Sequence, residues 1–299
     1  MKLAAQADFY IKHYGQKAGV QYLKDLGYES IIYTAMESQG TPFAANGTDE
    51  ELKKYFCEVR KATESCGMTI PFVTLKNELY SDVNPDFLEK GKRICLKAIK
   101  ATAYMGSDTL GIQPVCLRKS TPDAFETSKA ITYQIFEELQ KEADKVGVRL
   151  AVINNTKQRC FSSGSDSYGC RAEELLELAQ HFNTGVILNP VHSLKAGERV
   201  PDMIETLGER LIGLLLIDAS MRTMSQGTMP LMGAVDYFGI AEYLKKKENS
   251  AVAAMLYTPI MDRYRDFVHV DEVVDSLSKL FFYMANCIVG NTILGIEEE

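Results

Sequence analysis

The chain has 299 residues, of which 46% are hydrophobic and 24% charged, and its formal net charge is −7. That length suits one large domain or two small ones, and the composition is ordinary for a soluble globular protein. The acidic balance excludes nucleic acid and anionic membranes as main partners, because both need a basic face.

The first residues, MKLAAQADFYIKHYG, hold a short apolar run that Asp8 and Lys12 interrupt. A secretory signal needs a longer unbroken run. No stretch of the chain approaches the roughly 20 apolar residues of a membrane helix. A cytoplasmic protein is expected.

From Gly19 onward one pattern recurs: a helical segment, a short turn, then about six apolar residues. GVQYLKDLGYESIIYTAM is the first case, followed by YFCEVRKATESCGMTIPFVTL and CLKAIKATAYMGSDTLGIQPV. IFEELQKEADKVGVRLAVINN, LLELAQHFNTGVILNP, MIETLGERLIGLLLID and GIAEYLKKKENSAVAAMLYT complete the series. Helical spacing by three and four is clear at Leu139, Ala143 and Val146. The apolar runs are rich in Ile, Leu and Val, as in parallel strands covered on both faces. With KLAAQADF they make eight strands, beginning near residues 2, 30, 69, 109, 149, 185, 211 and 251. The helix DEVVDSLSKLFFYMANCIVG closes the ring.

Eight such units in this length predict an α/β fold, a single (β/α)8 TIM barrel over residues 1–299. An open doubly wound sheet fits less well, since no G-x-G-x-x-G follows the first strand. Nothing along the chain reads as a linker. The Ser/Gly-rich segment 160–169 is a loop after strand five.

The seven cysteines are Cys57, Cys66, Cys95, Cys116, Cys160, Cys170 and Cys287. They are odd in number and show no C-x-x-C spacing, so they read as reduced thiols filling the core. Cys160 and Cys170, which flank the Ser/Gly-rich loop, are expected to be more exposed.

In such barrels the chemistry sits where strands end. Strand one offers Gln6, Asp8 and Tyr10; strand two, Thr34 and Glu37; strand three, Thr74, Lys76 and Glu78. Strand four gives Gln113; strand five, Asn154, Asn155 and Lys157; strand six, Asn189 and His192. Strand seven gives Asp218 and Arg222, and strand eight Tyr257, Asp262 and Arg263. Such amides, hydroxyls and cations suit a polyhydroxylated ligand, and equally suit the capping of barrel ends.

Several stretches together resemble the xylose isomerase-like TIM barrels, the sugar phosphate isomerase/epimerase superfamily. LKDLGYESIIY resembles the family's first helix-to-strand unit, and VGVRLAVINN its strand five. RAEELLELAQHFNTGVILNPVHSLKAGE resembles the segment with its L-D-x-x-H motif, and PLMGAVDYFGIAEYLKK its G-x-G-x-v-D-f segment. The resemblance implies a divalent cation held by Glu, Asp, His and Glu on strands five to eight. Those positions fall on Ile153, Asn189, Leu216, and Leu256 or Tyr257. A shift of one residue brings Asp218 nearer the strand-seven position.

None of the four keeps its ligand, so no metal or other cofactor is expected. The family's substrate-contacting His and Arg fall on His192 and Arg222, and a second catalytic acid falls on Arg159. The resemblance thus leaves a metal-independent isomerase- or epimerase-like protein, with His192 and Asp218 as catalytic candidates. Gln113, Asn154, Asn155, Lys157, Asn189, Arg222, Tyr257 and Arg263 are its candidate ligand contacts. The alternative is a non-catalytic carbohydrate-binding or regulatory subunit. A related DNA-repair endonuclease is excluded by the lack of clustered histidines and acids. The expected partner is a small carbohydrate, with a homo-oligomer or partner subunit possible from the resemblance.

Overall fold

The eight apolar runs form strands because β-branched and Leu side chains pack well when both faces of a sheet are covered. A computed structural model describes residues 2–35, 47–75, 79–81, 85–117, 123–156, 167–223, 226–246, 251–263 and 271–290. The strands are β1 (Lys2–Gln6), β2 (Ser30–Ala35), β3 (Val73–Leu75) and β4 (Thr109–Ile112). They continue as β5 (Arg149–Ile153), β6 (Val186–Leu188), β7 (Leu211–Leu216) and β8 (Val252–Met255). All pair in parallel with their neighbours in chain order, and β8 returns to β1 to close the barrel. A closed ring leaves no edge strand to protect.

The expected third strand begins late. Only an isolated bridge joins Thr69 to Ser30, and Pro71 follows, which has no N–H to give to a ladder. Regular pairing resumes at Val73.

Eleven helices surround the described barrel: α1 (Asp8–Tyr14), α2 (Gln16–Asp25), α3 (Asp49–Ser65), α4 (Pro85–Tyr104), α5 (Ala124–Asp144) and α6 (Ala172–His181), then α7 (Pro190–Ala196), α8 (Val200–Leu207), α9 (Tyr237–Lys246), α10 (Thr258–Arg263) and α11 (Asp271–Val289). Their buried Leu23, Phe56, Ile99, Phe136, Leu178, Ile240 and Phe281 join one core with the strands. Val146 departs from its expected place. It is 42% exposed because α5 stops at Asp144 and Gly147, at φ +71°, turns the chain into β5. Among the described residues no helix is long and apolar enough to cross a membrane.

The register fixes which side chains enter the lumen. A Cβ on Gly111 would lie 2.8 Å from Ile187 Cδ1 and 2.9 Å from Ile153 Cδ1, and one on Gly213 would lie 2.8 Å from the Phe72 ring. These glycines therefore face inward and leave room for the large side chains opposite. Side chains alternate along a strand, and directly paired residues share a face. Carrying that around the ring puts Ala4 and Gln6, Thr34, Thr74, Gly111, Ile153, Ile187, Gly213 and Leu215, and Ala254 inside. The alternation continued past the strand ends adds Gln113, Asn189, Ile217 and Leu256.

Candidate functional site

The β4–β5–β6 end of the barrel gathers the largest share of the expected site residues. Asn154, just past β5, is fully buried. Its Oδ1 accepts the Asn189 N–H at 2.7 Å, while its Nδ2 donates to the Asn189 carbonyl and the Ser193 hydroxyl, both at 3.1 Å. Asn189 in turn caps α7: its Oδ1 accepts the Val191 N–H at 3.0 Å, with Pro190 in the first turn. Asn155 donates from Nδ2 to the carbonyls of Pro114 (3.0 Å) and Tyr168 (2.9 Å). These amides lie at the predicted end of the barrel, but the bonds they make clamp strand ends and loop stems. Ser193, whose place on the helix gives no sequence signal, completes the clamp.

His192 rises from the first turn of α7 over this platform. Its Nδ1 is 2.8 Å from the Asn154 carbonyl. A carbonyl only accepts, so Nδ1 carries the proton and Nε2 presents a lone pair. Gln113 Nε2 donates to the same carbonyl at 3.2 Å and sits 3.3 Å from His192 Nδ1. Burial pushes the His192 pKa down to about 4, outweighing the carbonyl bond that favours the charged form, with Lys195 lowering it further. The ring is therefore neutral at pH 7. Among the described residues no hydrogen bond reaches Nε2.

Asp218 is fully buried on the short strand Asp218–Ala219, against which α7 packs. Oδ1 accepts the N–H groups of Ala219 (2.7 Å) and Val235 (2.9 Å), and Oδ2 that of Gly233 (2.9 Å). Burial pushes its pKa up, and these backbone donors pull it back. No hydrogen bond among the described residues joins it to His192. Beside it, the Tyr237 hydroxyl donates to the Ile217 carbonyl (2.8 Å) and accepts the Ile217 N–H (2.9 Å). The segment after β7 is thus laced to the barrel from both sides. Gly233 commits its N–H to Asp218.

Arg222 is exposed on the turn that follows. Tyr257 lies elsewhere: its hydroxyl is 2.7 Å from that of Tyr28 and 3.4 Å from the Ser278 carbonyl, and its ring meets Tyr10 and Phe281. It faces the helices, because Leu256 takes the inward position. Tyr257→Phe is expected to cost about 1–2 kcal/mol, from the stranded Tyr28 hydroxyl, and to leave ligand binding untouched; urea unfolding and a binding isotherm check the two halves. Lys157 and the Arg263 side chain lie outside the described residues, as do Glu37, Lys76, Glu78, Arg159 and Cys160. Cys170, expected to be exposed, is buried with its Sγ donating to the Ser167 carbonyl at 3.3 Å.

On the β1–β3 side a second polar group enters the lumen. Gln6 Nε2 donates to Thr34 Oγ1 at 2.8 Å, and Thr34 Oγ1 is 3.2 Å from Thr74 Oγ1. Both Asp8 carboxylate oxygens lie 3.0 Å from the Thr34 N–H.

Residues 20–259 match the family model described as xylose isomerase-like TIM barrel. The chain belongs to that family. No curated protein matches its sequence. Among solved structures, D-psicose 3-epimerase with D-tagatose from Clostridium cellulolyticum H10 superposes with a TM-score of 0.70 at 14% identity, over 97% of this chain and 99% of that one. A D-tagatose 3-epimerase-like protein gives 0.66 at 16% identity, over 98% and 100%. The 3-keto-D-glucoside 4-epimerase from E. coli, in its apo form, gives 0.63 at 11%, over 85% and 91%. Identities this low speak for a shared fold.

The metal that the xylose isomerase-like resemblance implies does not fit the donors in this barrel. The register shows that the inward positions at the ends of β5 to β8 are Ile153, Asn189, Ile217 and Leu256; Leu216, paired with Met255, faces the helices. Three aliphatic side chains and one amide offer no carboxylate or imidazole to a divalent ion stripped of water. Among the described residues no three His, Cys, Asp or Glu side chains cluster as a metal site would need.

Proposed function

We propose that this barrel is a sugar isomerase/epimerase-like protein that takes a small carbohydrate at its C-terminal mouth without the family's divalent cation. One observation carries the reading: His192 is held by the Asn154 carbonyl so that a neutral Nε2 lone pair is offered beside the lumen residue Gln113. That atom accepts a hydrogen bond from a ligand hydroxyl, and Gln113 adds an amide with both donor and acceptor. Among the described residues the aliphatic ends of β5, β7 and β8 leave no group to polarise a carbonyl as a metal does. Among those residues any proton moved in a catalytic form falls to His192.

A second reading, a non-catalytic carbohydrate-binding or regulatory subunit, has its own support. Asp218, the partner acid an enzyme would draw on, has three backbone N–H groups on its carboxylate. An imidazole with a pKa near 4 is also a weak base at neutral pH. In both forms the chain acts as one domain over residues 1–299, and it assembles with copies of itself or with a partner subunit.

Thermal-shift screening of sugars, sugar phosphates and polyols, with and without EDTA, tests the shared premise. A true ligand raises the melting temperature by mass action, EDTA leaves the shift unchanged, and His192→Ala abolishes it. A shift that needs Mn²⁺ or Mg²⁺ overturns the metal-free reading. Solvent deuterium uptake into the bound sugar then separates the forms: uptake lost in His192→Ala marks the enzyme, and binding without uptake marks the binder.

A further inference from the structure

The lumen residues at the mouth divide into two contiguous halves. From β1 to β4 they are Gln6, Thr34, Thr74 and Gln113, with His192 over Gln113. From β5 to β8 the aliphatic ones are Ile153, Ile217 and Leu256, with Ile187, Leu215 and Ala254 one inward position deeper, all buried or nearly so; at that deeper level β1, β2 and β4 likewise turn in Ala4, Ile32 and Gly111. Asn155 and Asn189 are the exceptions: Asn155 donates to the Pro114 and Tyr168 carbonyls, and Asn189 Oδ1 is committed to the Val191 N–H. The sheet order keeps the halves on opposite walls, so among the described residues the mouth is hydrogen-bonding on one side and largely hydrocarbon on the other.

The polar wall is uncharged in its lumen groups. Hydroxyls, amides and a neutral imidazole both donate and accept, which matches sugar hydroxyls rather than an anion. Among the described residues the charged groups beside it are the Asp8 carboxylate on the Thr34 N–H, where a negative charge opposes a phosphate or carboxylate, and Lys195 near His192.

Building on the proposed carbohydrate site, we infer that the ligand is a neutral sugar or cyclic polyol with one hydroxyl edge and one apolar edge, such as a deoxy or methyl-bearing carbon presents. The hydroxyl edge meets Gln6, Thr34, Thr74, Gln113 and His192. The apolar edge lies on Ile153, Ile217 and Leu256, where a hydroxyl would be buried without a partner. Phosphorylated sugars are disfavoured for the same reason, and more strongly.

A matched panel tests this on the full chain. Thermal shift and calorimetry compare D-glucose, D-galactose, L-mannose and L-galactose with 2-deoxy-D-glucose, 2-deoxy-D-galactose, L-rhamnose and L-fucose, and with glucose 6-phosphate and galactose 6-phosphate. At least one deoxy sugar is expected to bind about fivefold or more tighter than its parent, and tighter than either phosphate. Ile153→Thr supplies a hydroxyl to the apolar wall and brings that preference within about twofold, whereas Ile153→Val, of the same shape, retains it. Parent sugars or phosphates that bind as tightly as the deoxy sugars overturn the inference and leave the carbohydrate reading standing. A panel in which no sugar binds removes both.

Discussion

Asp218→Ala is expected to destabilise the fold by about 3 kcal/mol and to loosen the segment 229–235 while the barrel strands stay closed. The carboxylate is fully buried and accepts N–H groups from Ala219, Gly233 and Val235. Removing it strands three donors, each worth roughly 1–3 kcal/mol when buried unpaired. The gain from no longer burying a carboxyl, whose pKa burial has raised, offsets part of that loss. The chain is packed closely here: a Cβ at Gly233 would lie 2.3 Å from both the Ala219 carbonyl oxygen and Asp218 Oδ1. Asp218→Asn fares little better, because its NH₂ points a donor at donors. The urea midpoint gives the size of the effect. Hydrogen exchange gives its place: amides of Gly233 and Val235 lose protection, and amides of Ala151 and Val152 in β5 keep theirs. A variant with unchanged exchange at Gly233 would refute the clamp.

That prediction also marks what the sequence could and could not disclose. Strands buried on both faces read as unbroken Ile/Leu/Val runs, so seven of the eight strand starts fall within a residue of their expected positions and only the third, delayed by Pro71, does not. The end of the barrel that carries Gln113, Asn154, Asn189 and His192 was equally legible, because the strand direction follows from the order of helix and strand. What those residues bind was not. The partners of Asn154 lie 35 and 39 residues away, and those of Asp218 up to 17, and no local pattern announces a backbone carbonyl brought in by the barrel's closure. Tyr257 shows the sharper limit. A one-residue difference in register exchanges Leu256 for Tyr257 at the mouth, and only the ladder between β7 and β8, continued by the Leu256 N–H to the Leu216 carbonyl, settles it. The polar chain Gln6–Thr34–Thr74 came from three residues already visible as strand ends. Their common face, not their identity, was the missing information.

The pH dependence of stability should carry a His192 component of known sign. Burial lowers its pKa from 6.5 to about 4 in the fold. Above pH 6.5 both folded and unfolded chains hold the ring neutral, and the group contributes nothing. As pH falls below 6.5 the unfolded chain takes up the proton and the folded chain does not, so stability is lost steadily until about pH 4, where the folded ring also protonates. A shift of about 2.5 units corresponds to on the order of 3 kcal/mol at most, and the part-exposed ring brings the expected figure to roughly 1–3 kcal/mol. His192→Gln removes the titration while keeping a donor for the Asn154 carbonyl. Urea midpoints measured for both proteins between pH 7.5 and 4.5 isolate the difference, since the other histidines and the carboxylates are common to the two. The wild type is expected to fall away from the variant on the acid side. Parallel curves would mean that the imidazole is not held neutral, and the Nε2 lone pair on which ligand recognition rests would go with it. If it is held neutral, ligand affinity in the wild type stays flat from pH 8 to about 5 and declines only as the ring begins to charge.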